Sequence, residues 1–559
     1  MTAATADAGP RILGPDGQPM KPPASRARML AGANVGYGTP YDAANVTDDH
    51  SAAWRPYLWS ADAQLNIYRD RIVARARDLA RNDGWAAGTV TRLLDNAIGS
   101  VFRPISKPDH RQLRAYTGLK GFDAQWAEEF GRAVDAHWRA WADDQVGKYC
   151  DLERKSWMSL LFGVAFRHLL IDNDALAVLQ ERPERVGVGA ARYELCVSLI
   201  DPDRLSNPQN VFDRRNLRGG VEIDGDGAAI AYHIRKAHQG DWWAAADAVT
   251  WDRIPRETED GQPIVVHYWE PSQAGEHRGG AGIFTPVLNR MRMLLKYDGA
   301  ELDAAMINAY FAAVAESPFD HQLMGEALGE GDAAPLLAYQ NERAGFHDER
   351  RLMIGSSRVS TLYPGEKLQI VKSERPNPNF PAFQASFLRN IAQATGASAT
   401  QVSGNFAEMN YSSARAELLE AWKTTVRRRN NFGAGFGQQI RAAWLAESFQ
   451  VDRLPLPAGA PDYLECRAAY SRADWMGPGR GVIDSVQERK GSVLGMDAGL
   501  TTLQRESAET IGEDWEDTLD QRAIEIDGFR KRGLEPPSWS AMNPAAEPAQ
   551  RTVADPEAN

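Results

Sequence analysis

The pattern of apolar and polar positions is most regular between residues 381 and 449. A short amphipathic run from Phe383 to Ala392 is followed by a small polar segment that ends at Tyr411. A much longer run, with apolar residues three or four positions apart, extends from Ser412 to about Glu447. As one α-helix it would measure about 54 Å. The pattern therefore predicts a short helix, a polar connection and a long helix as the central unit of the chain.

The predicted long helix has a recognisable start and a weak point. Ser412 and Ser413 are N-cap candidates, and Glu417 lies close enough to complete a variant of the capping box. Glycine destabilises the interior of a helix, so we expect a kink or break where three glycines cluster. These are Gly433, Gly435 and Gly437.

Other parts of the chain carry patterns of two kinds, and the fold class we predict is α+β. Helical spacing recurs over residues 122–144, 156–170, 286–316 and 481–534. Short alternating runs separated by turn signals predict a β-rich middle region. Its predicted strands span residues 175–179, 193–200, 221–223, 229–234 and 263–269.

Two kinds of irregular segment complete the picture. Residues 317–380 are mixed and loop-rich, with strand candidates at 351–354, 360–362 and 368–371. Prolines crowd both ends of the chain, which predicts a disordered N-terminal arm and a disordered C-terminal tail.

Charge and cysteine content narrow the function classes. The 559 residues carry a formal net charge of −12, which argues against tight, nonspecific binding of nucleic acid. Cys150, Cys196 and Cys466 are far apart and odd in number, so no disulfide framework is expected and a reducing compartment is favoured. No signal peptide is visible and no apolar run is long enough for a bilayer, so we expect a soluble intracellular protein without membrane contact.

The search for catalytic or metal-binding motifs yields weak candidates. The chain has no phosphate-binding loop and no histidine pair with zincin spacing, and we expect neither a cofactor nor a metal, even at His233 and His238. Asp172 and Asp174 precede a predicted strand and are candidates for general acid–base work, as in a hydrolase. A polar turn at a strand edge is the interpretation we favour for them.

Two further features have both a binding and a structural interpretation. Arginines recur along a predicted helix from Arg69 to Arg81, where they would grip phosphate or pair with acidic neighbours. Aromatic residues at helical spacing between Trp126 and Trp141 would stack on bases or form core. We favour the structural interpretation of both.

Twelve short strings follow one another in a fixed order over about residues 45–535. They lie at residues 75–85, 95–99, 200–205, 264–271, 277–279, 364–366, 376–379, 394–397, 410–415, 483–485, 499–501 and 512–514. In their order and spacing these strings resemble lambda-type phage portal proteins. One departure lies near His277, where a glycine-rich turn replaces one that usually contains proline, so we expect an altered loop there.

The resemblance implies a structural conduit and no enzyme. Proteins of this family form a ring, typically a dodecamer, at one capsid vertex, and double-stranded DNA enters and leaves through the axial channel. The implied partners are the major capsid and scaffold proteins, the terminase large subunit and, later, head-completion proteins of the neck. The implied location is the virion, with assembly in the host cytoplasm. A hydrolase and a nucleic-acid-binding scaffold are the alternative hypotheses.

The resemblance also implies a division of the chain. The predicted regions are a disordered arm (1–44), a wing (45–283), stem helix 1 (284–316), a clip (317–379), stem helix 2 (380–396), a tunnel loop (397–411), a long kinked wing helix (412–449), a crown (450–535) and a disordered tail (536–559).

The implied tunnel loop has the composition that a surface sliding along DNA requires. Residues 397–411 contain no lysine or arginine and one acid, Glu408, which keeps phosphate contacts weak. We expect Phe406, Met409 and Tyr411 to pack on a neighbouring loop in preference to touching the DNA backbone. The residues predicted to face DNA are Gln401, Val402, Ser403, Gly404, Asn405, Phe406 and Asn410.

The sharpest basic cluster is Arg427, Arg428 and Arg429, within the predicted long helix. Pairing with an acidic face of a neighbouring subunit is the interpretation we favour. Contact with packaged DNA is the alternative.

Overall fold

The computed structural model divides the chain into residues 1–60 and 61–559, and the account below concerns the second unit. The predicted arm and tail, and within the predicted tunnel loop residues 407–409, lie outside the described residues. The structure describes residues 56–100, 102–306, 379–406, 410–482 and 484–535, the backbone of 307–310 and 314–316, and short pieces between 338 and 369.

Helices dominate the described residues. None of them combines the length and the apolar character that a membrane crossing requires. In chain order they are α1 (Ala61–Leu65), α2 (Arg69–Asn82), α3 (Gly84–Ala97), α4 (His110–Thr117), α5 (Ala124–Ala142), α6 (Met158–Asp172), α7 (Ala245–Ala248), α8 (Leu288–Tyr310), α9 (Phe380–Thr395), α10 (Ala399–Ser403), α11 (Tyr411–Phe432), α12 (Gln438–Val451), α13 (Arg467–Ser471), α14 (Ser485–Asp497), α15 (Leu503–Thr510) and α16 (Trp515–Lys531).

The predicted β-rich middle region forms two small antiparallel sheets. The strands are β2 (Ala175–Glu181), β3 (Leu195–Ile200), β4 (Leu217–Arg218), β5 (Val221–Ile223), β6 (Ala229–Arg235), β7 (Trp251–Pro255) and β8 (Val265–Tyr268). One sheet has the strand order β3-β2-β8 and the other β4-β5-β6-β7. The five predicted strands are confirmed, and the sequence pattern missed β4 and β7.

A cluster of aromatic side chains, here called the aromatic core, joins α5 to the long helix. Asp123 caps α5 by accepting a hydrogen bond from the backbone of Trp126 at 2.8 Å. Trp138 and Trp141 are buried and lie 5.2 and 6.1 Å, centroid to centroid, from the ring of Trp444 in α12. The structural interpretation of the aromatic stripe is confirmed, since these rings are enclosed and cannot stack on bases.

The long helix is continuous but changes its winding at the glycines. Residues Gly433–Gly437 form a π-helical turn between α11 and α12. A Cβ at Gly433 or Gly437 would lie 2.4 or 2.5 Å from the indole of Trp475, and one at Gly435 would lie 2.3 Å from the ring of Tyr268. The predicted break is wrong, because the helix continues through the glycines as a π-helical turn that packs closely on Trp475 and Tyr268.

The predicted N-cap of the long helix is wrong. Asn410, not Ser412 or Ser413, caps α11, because its side-chain oxygen accepts a hydrogen bond from the backbone of Ser413 at 2.9 Å. Glu417 instead accepts a hydrogen bond from the backbone of Thr400 at 3.0 Å. Asparagine is as good an N-cap as serine, so Asn410, two residues before the start of the pattern, was the better candidate.

The region between α8 and α9 contains short strands. The predicted helix over 286–316 ends early, because β9 (Val314–Glu316) pairs with β12 (Lys367–Gln369). Strand β10 (Arg351–Ile354) pairs with β11 (Ser357–Ser360), which begins three residues before the predicted second strand. Helix α9 follows and ends at Gly396, whose φ of 73° suits the left-handed C-cap.

A pair of strands that the sequence pattern missed joins distant parts of the chain. β1 (Arg103–Ser106) and β13 (Ala473–Met476) form an antiparallel ladder. β13 also carries Trp475, the residue that packs on two glycines of the long helix. The ladder therefore joins the segment that follows α13 to the segment between α3 and α4.

Candidate functional site

The segment that links α9 to α11 begins with order. Ser398 accepts a hydrogen bond from the backbone of Gln401 at 3.0 Å, and the Gln401 side chain accepts one from the backbone of Ser398 at 3.0 Å. This reciprocal capping box starts the helix α10. The predicted tunnel loop is therefore wrong over Ala399–Ser403, which is helical. The signal was present in the sequence, since a serine followed three residues later by glutamine is the capping-box pattern.

The DNA-facing prediction is wrong for Val402. Its side chain is 5% exposed and belongs to the main hydrophobic core, which also contains the aromatic core. Two contacts hold the helix around it: Glu417 accepts from Thr400, and Arg92 of α3 donates to the carbonyl of Gln401. Nothing in the sequence spacing pointed to Arg92, which lies more than 300 residues earlier.

The described residues of the segment that are exposed are fewer than predicted, and none of them is charged. Gly404 ends α10 in the left-handed conformation, with φ of 67°. Among the described residues from 404 to 410, Gly404, Asn405, Phe406 and Asn410 are all exposed, with Phe406 64% exposed. This exposed window, as we call these four residues, offers amide groups and one aromatic ring to whatever lies opposite. Such a surface has weak attraction for phosphate.

Gln401 and Ser403 are intermediate in exposure between buried Val402 and the exposed window. Both are half-buried, and both are engaged in the cap and the turn of α10. Ser403 Oγ accepts a hydrogen bond from the backbone of Asn405 at 3.2 Å. These two residues shape the window more than they form its surface.

The basic cluster of α11 does not act as one surface. Arg427 is 56% exposed and lies 3.4 Å from Glu270. Arg428 is mostly buried and donates to the carbonyl of Thr395 at 2.8 Å, and its burial lowers the pKa of its guanidinium. Arg427 is the one member of the three with an exposed head.

The prediction for Arg429 is wrong, because its partners lie in its own chain. Arg429 donates to the carbonyls of Asn96, Ala97 and Pro478 at 2.7 to 2.8 Å. Its burial lowers the pKa of the guanidinium to about 10. A cation at the last carbonyls of a helix is favourable, so Arg429 serves as a C-cap for α3 and as a tie to the segment after β13.

The candidate acid–base pair is enclosed. Asp172 and Asp174 are fully buried. Arg77 donates to Asp172 at 2.6 Å, and Asp174 contacts Arg278 at 2.8 Å and His267 at 2.6 Å. Burial alone would raise the pKa of Asp174, but the neighbouring cations hold it well below its usual range. Both aspartates therefore belong to a buried ion network that no substrate can reach, and the hydrolase hypothesis has no support here.

The arginine-rich helix, α2, contributes arginines to the same ion network. Arg69 lies 3.0 Å from Asp203, and Arg77 lies 2.8 Å from Asp201. Pairing with acidic neighbours is confirmed for these two arginines, although the pairs are wholly or partly buried. Ligand atoms of Asp201, Asp203 and His238 lie within 4.8 Å of one another, but Arg77 already pairs with both aspartates, and Arg69 pairs with Asp203.

The comparisons with known proteins agree with one another. Residues 47–429 match the family model described as phage portal protein, lambda family. The chain is 32% identical to the portal protein of Escherichia phage N15, covering 95% of this chain and 96% of that protein. It is also 32% identical to portal protein B of Escherichia phage lambda, covering 95% of each.

Solved structures give a more distant likeness. A chain from the virion of a native gene transfer agent particle is 16% identical with a TM-score of 0.35, over 75% of this chain and 97% of that one. A chain from the neck of the native particle, computed with C12 symmetry, has the same identity and TM-score over 74% and 96%. The family match and the two phage relatives establish the assignment: the chain belongs to the lambda family of phage portal proteins.

Proposed function

We propose that the chain assembles into a closed ring of about twelve copies at one capsid vertex and conducts double-stranded DNA through its axis. The ring is a structural conduit, without catalysis of its own. It sits in the virion among the major capsid and scaffold proteins after assembly in the host cytoplasm. The terminase large subunit docks on the ring during packaging. Head-completion proteins of the neck dock on the ring afterwards.

The division of the chain follows from the same proposal. The wing comprises residues 45–283, and α8 and α9 are the stem helices, with the short strands between them in the clip. The kinked wing helix is α11 together with the π-helical turn and α12. The crown comprises residues 450–535.

The observation that carries the proposal is the uncharged exposed window between a stem helix and the long helix. In a ring, every copy would present Gly404, Asn405 and Phe406 toward the axis. DNA that must slide past would stall on cations, because each lysine or arginine that neutralises a phosphate adds salt-sensitive affinity. The window offers none. Arg92 of α3 lies beside Gly404, and its guanidinium donates to the carbonyl of Gln401, which holds it at the α10 side of the window.

The test is to charge the window. In a packaging reaction with the phage's own heads and terminase, Asn405→Lys should leave the rings intact and lower the amount of nuclease-protected DNA several-fold. Raising the salt concentration should restore part of the loss, since counterion release weakens phosphate contacts in proportion to their number.

Two variants serve as controls. Asn405→Gln keeps the window neutral, and Val146→Lys adds the same charge at a side chain that is 95% exposed in the wing. Both should package as the wild type does. If Asn405→Lys packages normally at low salt, the window does not face the DNA.

A further inference from the structure

The three helices α14, α15 and α16, here called the crown helices, lack a core. Among the described residues 484–535, Ser507 is the one residue that is buried as a whole, and no large apolar residue is buried. Large apolar side chains are exposed on all three helices and at the C-cap of α15: Val486, Leu494, Leu503, Leu519, Ile524 and, at the cap, Ile511. Helices of this length are marginal in water unless an apolar face packs on a partner.

The apolar residues of α16 need cover from two sides. Leu519 and Ile524 are 39% and 67% exposed, and five positions separate them. At 3.6 residues per turn, they point about 140° apart around the helix. One neighbouring element could cover one of these faces but not both. Apolar residues on several sides are typical of a helix that is surrounded by other protein.

The body of the same chain supplies little of this cover. It holds the start of α16 mainly by ion pairs: Glu516 lies 2.7 Å from Arg132, and Asp517 lies 3.0 Å from Arg103 and 3.1 Å from Arg139. Partly exposed pairs of this kind contribute about 0–1 kcal/mol each. These contacts position the helix without burying its apolar side chains.

The remainder of the chain after α16 is a poor candidate to fill the gap. Residues 536–559 contain Trp539, Met542 and Val553 as their large apolar residues, among five prolines. A second copy, in contrast, brings apolar faces of the same kind. It also brings opposite charge, since α14 exposes Arg489 and Lys490 while α16 exposes Asp520 and Glu525. A head-to-tail contact between copies would use both features.

We infer that the crown helices of adjacent copies complete one another's core, so that this region folds fully only when the ring closes. The inference rests on the proposed ring. Each crown would have a neighbour on either side, which matches the two uncovered faces of α16. The isolated subunit would keep a folded body with crown helices that open readily.

Hydrogen exchange on the full chain, compared between isolated subunits and rings, tests this inference. Backbone amides of α14 and α16 should exchange at least 100-fold faster in the subunit than in the ring. Amides of α5, which has its own buried face, should exchange at similar rates in both. Equal protection of α16 in the subunit and the ring would overturn the inference.

Substitutions give an independent readout. Ile524→Asp and Leu494→Asp should lower the fraction of subunits in rings at least tenfold at a fixed concentration, without changing exchange in α5. Val146→Asp is the matched control, because it places the same charge at an exposed apolar residue outside the crown, and it should assemble normally.

The possible failures are distinguishable. Rings that form as readily with Ile524→Asp and Leu494→Asp as with the wild type would overturn the crown inference and leave the proposed function standing. A wild-type chain that forms no rings at any concentration would overturn the proposed function, and the crown inference with it.

Discussion

Helices α5 and α16 are similar in length, with 19 and 17 residues, but they treat their apolar side chains differently. Helix α5 buries Trp126, Phe130, Trp138 and Trp141 within its own chain, whereas α16 buries no residue. One helix belongs to a body that is complete in a single copy. The other leaves its apolar side chains exposed, and the inferred contact between copies would cover them. The contrast predicts which parts of the subunit are stable before assembly.

The largest effect should come from the aromatic core. Trp444 is fully buried against Trp138 and Trp141 of α5 and against Tyr193, so Trp444→Ala should destabilise the body by about 3–5 kcal/mol, in the subunit and the ring alike. The opening free energy of α5, measured by hydrogen exchange, reports this loss.

Ile524→Ala is the matched comparison in the crown. In the isolated subunit it should change the same opening free energy by less than about 0.5 kcal/mol, as surface substitutions usually do. If the two variants destabilise the subunit equally, the contrast between α5 and α16 is wrong.

A smaller effect should appear when the buried ion network is acidified. Burial alone would raise the pKa of Asp201, but its bonds with Arg77 lower it to about 2. Aspartates in unfolded chains titrate near 3.9, so the unfolded state takes up protons first as the pH falls. The stability that Asp201 confers is therefore complete above about pH 4 and is lost as the pH falls towards 2. Asp174, whose pKa is also lowered, acts in the same direction.

Urea unfolding followed by tryptophan fluorescence at pH 5 and pH 3 would measure this loss. The urea concentration at the unfolding midpoint of the wild type should be lower at pH 3 than at pH 5. Arg77→Met should begin at a lower midpoint at pH 5 and lose less on acidification, because it has already lost the ion pair. A wild-type midpoint that is unchanged at pH 3 would contradict the role given to the network.

The smallest effect should be local to α10. Ser398→Ala removes the N-cap of α10. It should lower the opening free energy of α10 by about 1 kcal/mol and leave that of α5 unchanged. Ser398→Thr, which keeps a capping hydroxyl, should retain most of the protection. Exchange at the amides of Gln401 and Val402 is the measurement, and an unchanged rate in Ser398→Ala would show that packing of Val402 alone holds the helix.

Local patterns predicted much of the fold, because they depend on spacing along the chain. The aromatic face of α5, the five strands and the irregular turn at Gly433–Gly437 are of this kind. The β1–β13 ladder and the partners of Arg429 were missed, since they join residues far apart in sequence and leave no periodic trace. Charge alone also misled: three adjacent arginines suggested one surface, but adjacent residues in a helix point in different directions.

The candidate site shows the same limit. Its lack of positive charge was readable from composition, and so was its position between two helices. Which of its residues are exposed was not, because Val402 is drawn inward by contacts with α9 and α3 that only the tertiary structure defines. The exposed window is therefore narrower than the polar segment that suggested it.

Electron cryomicroscopy of the purified full-length protein tests the central claim most directly. The account predicts closed rings with an axial channel wide enough for duplex DNA, with Gly404, Asn405 and Phe406 at its narrowest point and the crown helices of adjacent copies in contact. Compact monomers, or rings in which residues 404–406 lie away from the axis, would contradict it.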